Sequence, residues 1–284
     1  MEKTPTRRDV VVIGGGLAGL TLALQLKQKF PDIDMLVIER RPHPVPEAAH
    51  KVGESSVEIG AHYFSKVLGL QAHLDEAQLR KFGFRFFFSE GRRDIDQVTE
   101  IGASRFLSVP SYQIDRGIFE NFLGEEARRR GIEFIDNAVV RCIELAEGDA
   151  LHRLSYETAG AEGGEEFGET REVACRWLVD ASGRAGLLKR QLGLAQDNAH
   201  RAHAIWFRIK DRIDIDRWSD SAAWRERCEP QGARWQSTNH LVGAGYWAWL
   251  IPLASGSHSV GIVADPRWHP LEKMNTFEIG RAHV

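Results

Sequence analysis

Apolar residues fall in three distinct rhythms along this chain, and each predicts a different kind of element. Residues 9–13 end in an unbroken β-branched run, Val10, Val11, Val12 and Ile13, which suits a strand covered on both faces, as in a parallel sheet. Past three glycines the spacing changes: Leu20, Ala23, Leu24 and Lys27 recur every three or four residues and predict a helix over about residues 17–30. The stretch "DMLVIER" predicts a second strand, and Phe119, Phe122, Leu123 and Ala127 form one stripe of a later helix, followed by strands near residues 132–135 and 140. Strands near 151–156 and 171–179 flank "TAGAEGGEEFGET", a glycine- and glutamate-rich hairpin loop. A two-residue rhythm takes over elsewhere. Phe82, Phe84 and Phe86 alternate, and in "GYWAWLIPL" Trp247, Trp249 and Ile251 face one way while Ala248 and Leu250 face the other, predicting a strand buried on both sides. "DRIDIDRWSD" alternates acids with isoleucines and predicts an edge strand with a charged face.

The turn between the first strand and helix carries the most specific chemistry. Gly14, Gly16 and Gly19 fit G-x-G-x-x-G: the first permits a tight turn, the second lets backbone approach a pyrophosphate, and the third lets helix pack on strand. The first helical turn, with Leu17 and Ala18, offers N–H groups and a partial positive charge to an anion. Glu39, 20 residues after Gly19 and followed by Arg40, ends the second strand where a carboxylate accepts from ribose hydroxyls. Later, "LVDASGRAG" stops a strand at Asp180 beside small residues and Gly183, a second place where an acid can accept from a ribose or ribitol hydroxyl. Together these predict a dinucleotide site.

Composition removes other classes. Lys plus Arg number 37 against 40 Asp plus Glu, a formal charge of −3, so no electrostatic reason for nucleic acid or an anionic membrane exists. No apolar run approaches the roughly 20 residues of a membrane span, and the N-terminus lacks a signal-peptide core, which makes a cytoplasmic location the expectation. Cys142, Cys175 and Cys228 lie far apart with no C-x-x-C pair, so they are expected to be small apolar residues rather than metal ligands or a disulfide. His203, His240 and His258 lack metal-ligand spacing, and no metal site is expected.

A single Rossmann unit at the N-terminus, followed much later by D-A-S-G, resembles the flavoproteins with the glutathione-reductase-type, aromatic-hydroxylase-like FAD fold. That resemblance implies an α/β class, with an FAD-binding Rossmann-like domain interleaved with an antiparallel β-sheet substrate domain. It implies that Arg116, in a D-R-x-x-F helix, reaches the flavin nucleotide. Two further stretches sharpen the likeness. "VGES", with Gly53, Glu54 and Ser55, and W-x-W-x-I-P, matched by Trp247, Trp249, Ile251 and Pro252, resemble the flavin-dependent halogenases. In that family the tryptophan wall stands beside the flavin and keeps substrate from the peroxide. Membership would imply that FAD, used as FADH2 from a separate NAD(P)H-dependent flavin reductase, forms a C4a-hydroperoxide that oxidises a halide ion to hypohalous acid. A lysine amine then hydrogen-bonds that acid or carries the halogen to an electron-rich arene of phenol, indole or pyrrole type, free or carrier-bound. Lys81 matches the family's catalytic lysine, with Arg85 the neighbouring candidate, and burial among phenylalanines would depress its pKa.

The expected domains are an FAD part from residues 7–70 and 105–195 and a substrate part from 71–104 and 196–277. The family's later G-D-A-x-G segment is missing, and "IGRAHV" is encodable by the start of a sequencing adapter, so residues 278–284 are expected to be a non-native tail. Two rivals stay open: a single-component NAD(P)H-dependent aromatic monooxygenase, and a catalytically silent FAD-binding protein or non-functional fragment.

Overall fold

A computed structural model describes residues 5–48, 51, 53–159, 167–270 and 272, so the expected tail at 278–284 and most of the predicted hairpin loop lie outside the described residues. In chain order the strands are β1 (Thr6–Ile13), β2 (Met35–Ile38), β3 (Leu79–Arg80), β4 (Phe84–Phe88), β5 (Thr99–Gly102), β6 (Tyr112–Gln113), β7 (Glu133–Ile135), β8 (Ala138–Glu144), β9 (His152–Ala159), β10 (Phe167–Asp180), β11 (His203–Ile209), β12 (Thr238–Gly243), β13 (Tyr246–Pro252) and β14 (His258–Ala264). Helices α1 (Leu17–Lys29), α2 (Glu58–His62), α3 (Gln71–Ala77), α4 (Arg116–Arg129) and α5 (Leu187–Gln191) lie among them. The chain divides into two compact units, one of Met1–Pro46 with Gly117–Gln196, the other of Glu47–Arg116 with Asp197–Val284.

The first unit is built on a six-stranded sheet of order β7-β2-β1-β10-β9-β8. Its first four strands are parallel and β10, β9 and β8 antiparallel, so the long strand β10 belongs to both arrangements. The continuous apolar runs of β1 and β2 occupy the middle, and Val11, Leu36, Ile38, Val173 and Cys175 form their core. The helical stripe behaves as its spacing predicts: Leu20, Ala23 and Leu24 on α1 and Phe119, Leu123 and Ala127 on α4 are fully buried. Burial pushes the Cys175 thiol up to about 11, which makes it inert. Cys228 is also buried, whereas Cys142 is exposed, against the expectation for it, on the antiparallel part of the sheet.

The second unit holds a six-stranded sheet of order β11-β14-β13-β12-β4-β5, antiparallel except where β12 runs parallel to β4, and a small ladder of β3 with β6. One face of the large sheet is closed by a core of Phe87, Ile215, Trp224, Leu250 and Val260. "DRIDIDRWSD" is therefore not an edge strand: it is a loop and a 3-10 turn, Ile215–Trp218, that buries Ile215 in this core. Its alternation reflects a different demand, because Asp216 receives the buried Arg234 at 2.8 Å. Arg234 also reaches Glu100 at 2.8 Å, and Arg85 pairs with the same carboxylate. Burial pushes the Glu100 carboxyl up, but hydrogen bonds and charge from Arg234 and Arg85 outweigh it and hold the group below its ordinary range.

Packing groups residues 47–70 and 105–116 with the second unit, although the sequence expectation places them with the FAD part. The reason is local: Ser55 bridges Gln113, and the Ser56 N–H donates to the Tyr112 carbonyl at 2.9 Å, so the loop forms an edge of the β3–β6 ladder.

Candidate functional site

In the first unit, the residues expected to hold a dinucleotide converge on the C-terminal ends of β1, β2 and β10. Gly14 has φ +110°, and a Cβ there would overlap the Ala181 carbonyl; a Cβ at Gly19 would overlap the Gly14 carbonyl. Both glycines are therefore demanded by the turn itself. Gly16 differs: nothing lies within 4 Å of its would-be Cβ, and no side chain caps α1. The first turn of α1 therefore starts without a side-chain cap and with free space beside Gly16, which suits the approach of an anionic phosphate. Glu39 lies beside them, accepting from the Gly15 N–H at 2.7 Å and the Arg41 N–H at 2.8 Å, with Arg40 next in chain. Asp180 ends β10 and accepts from the Ser182 hydroxyl and from the Ser182 and Leu188 N–H groups at 3.0 and 2.8 Å; burial pushes its carboxyl up, yet these bonds, the hydroxyl's first, hold it below the ordinary range. Gly183 follows with φ +63°. Free space beside Gly16 at an uncapped helix start, with Glu39 and Asp180 at the neighbouring strand ends, fits a dinucleotide.

The second unit assembles the remaining candidates around one sheet face. Strand register places Phe86, His240, Trp249, Gly261 and Trp206 in one row. Phe86 stacks on His240 at 4.7 Å and on Phe84 at 6.3 Å. Burial pushes the His240 imidazole below its ordinary value, leaving a neutral ring in an aromatic ladder. Trp247 and Trp249 are half-buried on this face while Ala248 and Leu250 are buried on the other, so the wall strand is closed on one side and partly open on the tryptophan side. Trp249 fits because Gly261 has no side chain, and its indole N–H donates to Ser259 at 3.2 Å. Ile251 and Pro252, both buried, finish the strand.

Lys81 enters this face at the end of β3. Only 2% exposed, it donates from Nζ to the Ser56 carbonyl at 2.9 Å, and Nζ lies 3.3 Å from the centre of the Phe84 ring. Desolvation lowers its pKa to about 8, partly opposed by the Glu58 carboxylate. Arg85 is on the other face, donating to Glu100, the Ala103 carbonyl and, from Nε, Ser237 at 3.4 Å. The phenylalanine alternation is broken at Gly83, whose φ is +83°: Phe82 packs with Cys228 and Ala233 instead of joining Phe84 and Phe86.

The loop of Gly53, Glu54 and Ser55 meets the same assembly. Gly53 has φ +93°, and its would-be Cβ lies 3.1 Å from the Arg116 guanidinium. Ser55 shares a 2.6 Å hydrogen bond with Thr238, which donates to Gln113 at 3.1 Å. Glu54 is buried and paired with Arg208 at 2.8 Å. Sequence reading missed Ser56, Gln113, Thr238, His240 and Arg208 as partners. Arg208 alone left a signal, a charge in phase with Trp206 on an otherwise apolar strand. Among the described residues no cluster of His, Cys, Asp and Glu could hold a metal, and no helix is long and apolar enough to cross a membrane.

The parallel sheet, glycine turn and paired acids define a dinucleotide-binding flavoprotein fold of the α/β class. The family model described as the FAD binding domain matches residues 7–254, and the chain belongs to that family. Its sequence is 28% identical over 275 residues to flavin-dependent halogenase chlA of Dictyostelium discoideum, covering 89% of this chain and 44% of that protein. It is 26% identical over 277 residues to the 1H-pyrrole-2-carbonyl-(peptidyl-carrier protein) chlorinase of Pseudomonas fluorescens, covering 90% of this chain and 56% of that one. Among solved structures, halogenase PltM in complex with phloroglucinol and FAD superposes with a TM-score of 0.73 at 19% identity, over 94% of this chain and 55% of that chain. This chain spans about half the length of the curated relatives it matches.

Proposed function

We propose that the whole protein is a two-component, FADH2-dependent halogenase of an electron-rich aromatic of phenol, indole or pyrrole type, with halide as co-substrate and reduced flavin delivered by a separate NAD(P)H-dependent reductase in the cytoplasm. The observation that carries this reading is Lys81: a buried amine with pKa lowered to about 8, beside Phe84 and under the aromatic row. At pH 7 roughly a tenth of such a group is free amine, against about 3 in 10,000 for an unperturbed lysine. That makes it a nucleophile able to accept or hydrogen-bond an electrophilic halogen species.

Gly14, Gly16, Leu17, Ala18, Gly19, Glu39, Arg40, Asp180 and Gly183 are assigned to the nucleotide and pyrophosphate, and Gly53, Glu54, Ser55 and Arg116 also contact the cofactor. Bound in reduced form, the flavin supplies the dioxygen activation that oxidises halide. The half-open face of Trp247 and Trp249, with Ile251 and Pro252, separates substrate from that chemistry, and the Phe84–Phe86–His240 ladder offers an arene a flat apolar bed. Relatives that include a chlorinase of a carrier-bound pyrrole support a substrate that is either free or carrier-bound.

The test mixes the whole protein with externally reduced FAD, oxygen, bromide and a phenol and indole panel, read by mass spectrometry. Brominated product dependent on supplied FADH2 is expected. Hydroxylated product driven by NAD(P)H alone moves the protein to the single-component monooxygenases, and peroxide release without product leaves a silent flavin-binding protein.

A further inference from the structure

Three separated stretches of the second unit meet at one guanidinium. Arg208 on β11 donates to the Glu54 carboxylate from Nε at 3.2 Å and Nη2 at 2.8 Å, to Asp115 Oδ1 from Nη2 at 3.3 Å, and to the Glu47 carbonyl from Nη1 at 3.3 Å. All three charged side chains are withdrawn from water, at 7, 3 and 0% exposure for Arg208, Glu54 and Asp115. The second Asp115 oxygen is buried with no hydrogen-bond partner, so Arg208 is its counter-charge within ion-pair reach.

We infer that Arg208 is the positioning residue of the loop at residues 53–55, clamping that loop and Asp115 to the sheet face that carries Trp206 and Trp249. Arg208 pairs across the strands with Ser259, and Ser259 with Ile251, so the clamp and the wall strand share one rigid row. Ser259 also accepts from the Trp249 indole. Gly53 at φ +93° has no side chain of its own to fix it, and the Glu54 carbonyl is held on the other side by the Ile114 N–H at 2.6 Å. The loop is therefore pinned by backbone on one side and by a forked side chain on the other. Arginine suits the place because its planar fork serves several acceptors at once, whereas a lysine ammonium is a compact point charge. Removing it leaves two buried carboxylates without their shared cation.

This inference rests on the reading that residues 53–55 contact FAD, and its test separates the two. Hydrogen exchange of the residue 53–56 amides in the flavin-free whole protein is compared with that of β13 for wild type, R208Q, R208K and E54A, alongside FAD affinity by fluorescence quenching. Expected are loop exchange at least tenfold faster in R208Q and E54A with β13 unchanged, an intermediate R208K, and FAD bound at least tenfold more weakly by R208Q. Loop exchange at the wild-type rate in a folded R208Q or E54A overturns the clamp, and so does equal acceleration in β13, which would mark a general stabilising contact. E54A releases the loop while leaving Arg208 on Asp115, so it decides the matter even if R208Q does not fold. A wild type that fails to bind FAD while the loop effect persists overturns the flavin reading and leaves the clamp standing.

Discussion

The Lys81 ammonium nitrogen lies 3.3 Å from the centre of the Phe84 ring. A ring face attracts a cation by about 0.5–2 kcal/mol, but it cannot replace water. Burial lowers the Lys81 pKa to about 8, with the Glu58 carboxylate the opposing influence.

That balance fixes the sign of a pH effect. Below about pH 8 folded and unfolded chains both hold the proton, and the cost of burying the ammonium is paid in full. Between about 8 and 10.5 the unfolded chain keeps its proton while the folded chain releases it, so stability gained from this group rises with pH. The stability of wild type relative to Lys81→Met should grow by on the order of 3 kcal/mol from pH 7 to above 10, measured by urea unfolding. A flat difference would mean the amine is solvated.

Bromination by the whole protein should rise through pH about 8 as the Lys81 amine forms, and both K81M and K81R should lose it while still oxidising FADH2. A rate that falls through the same pH would assign the work to the ammonium form, and retained bromination in K81M would remove the residue from the mechanism.

Gly16 and Gly19 should respond oppositely to alanine. Gly19→Ala pushes a methyl into the Gly14 carbonyl and should destabilise the first unit by several kcal/mol. Gly16→Ala meets open space at an ordinary φ of −83° and should leave the thermal midpoint unchanged or slightly raised, while FAD affinity falls at least tenfold because the methyl stands where a pyrophosphate would approach. Calorimetry and flavin titration read the two quantities separately; unchanged affinity in G16A would mean the turn takes no phosphate.

Gly261→Ala drives a methyl into the Trp249 indole and should cost about 1–3 kcal/mol. Trp249→Phe shortens the ring and should relieve the indole share of that loss, the close approach to Trp206 Cβ remaining, giving a coupling of about 1 kcal/mol in a double-mutant cycle. Additive single effects would place the clash elsewhere.

Trp247→Ala or Trp249→Ala should raise the share of consumed FADH2 that ends as free peroxide or hydroxylated product. Coupling equal to wild type would reduce these residues to packing.

Much of this was legible from residue patterns because the patterns answer to backbone geometry. The unbroken run of β1 and the glycines at 14 and 19 are dictated by a parallel strand and a turn with no room for a Cβ. The partners of Lys81 were not legible: Ser56 contributes a main-chain carbonyl, which every residue owns, so nothing in its side chain marks it. Gly83 hid a reversal inside a regular alternation, sending Phe82 away from its apparent companions. The acids of "DRIDID" looked solvent-facing because a strand was the simplest explanation of their rhythm, whereas Asp216 is drawn inward by an arginine 18 residues later.

The parallel pairing of β4 with β12 also sets an order of events. Phe84 meets Thr238 and Phe88 meets Val242, so the neighbour that completes the aromatic ladder leaves the ribosome roughly 150 residues after Lys81. At about 5–20 residues per second, the phenylalanine strand waits roughly 8–30 seconds with only its β5 edge paired, its other edge open to chaperones or to other nascent chains. Slower synthesis across that interval should lower the yield of folded protein, and the lysine pocket cannot form before β12 has emerged.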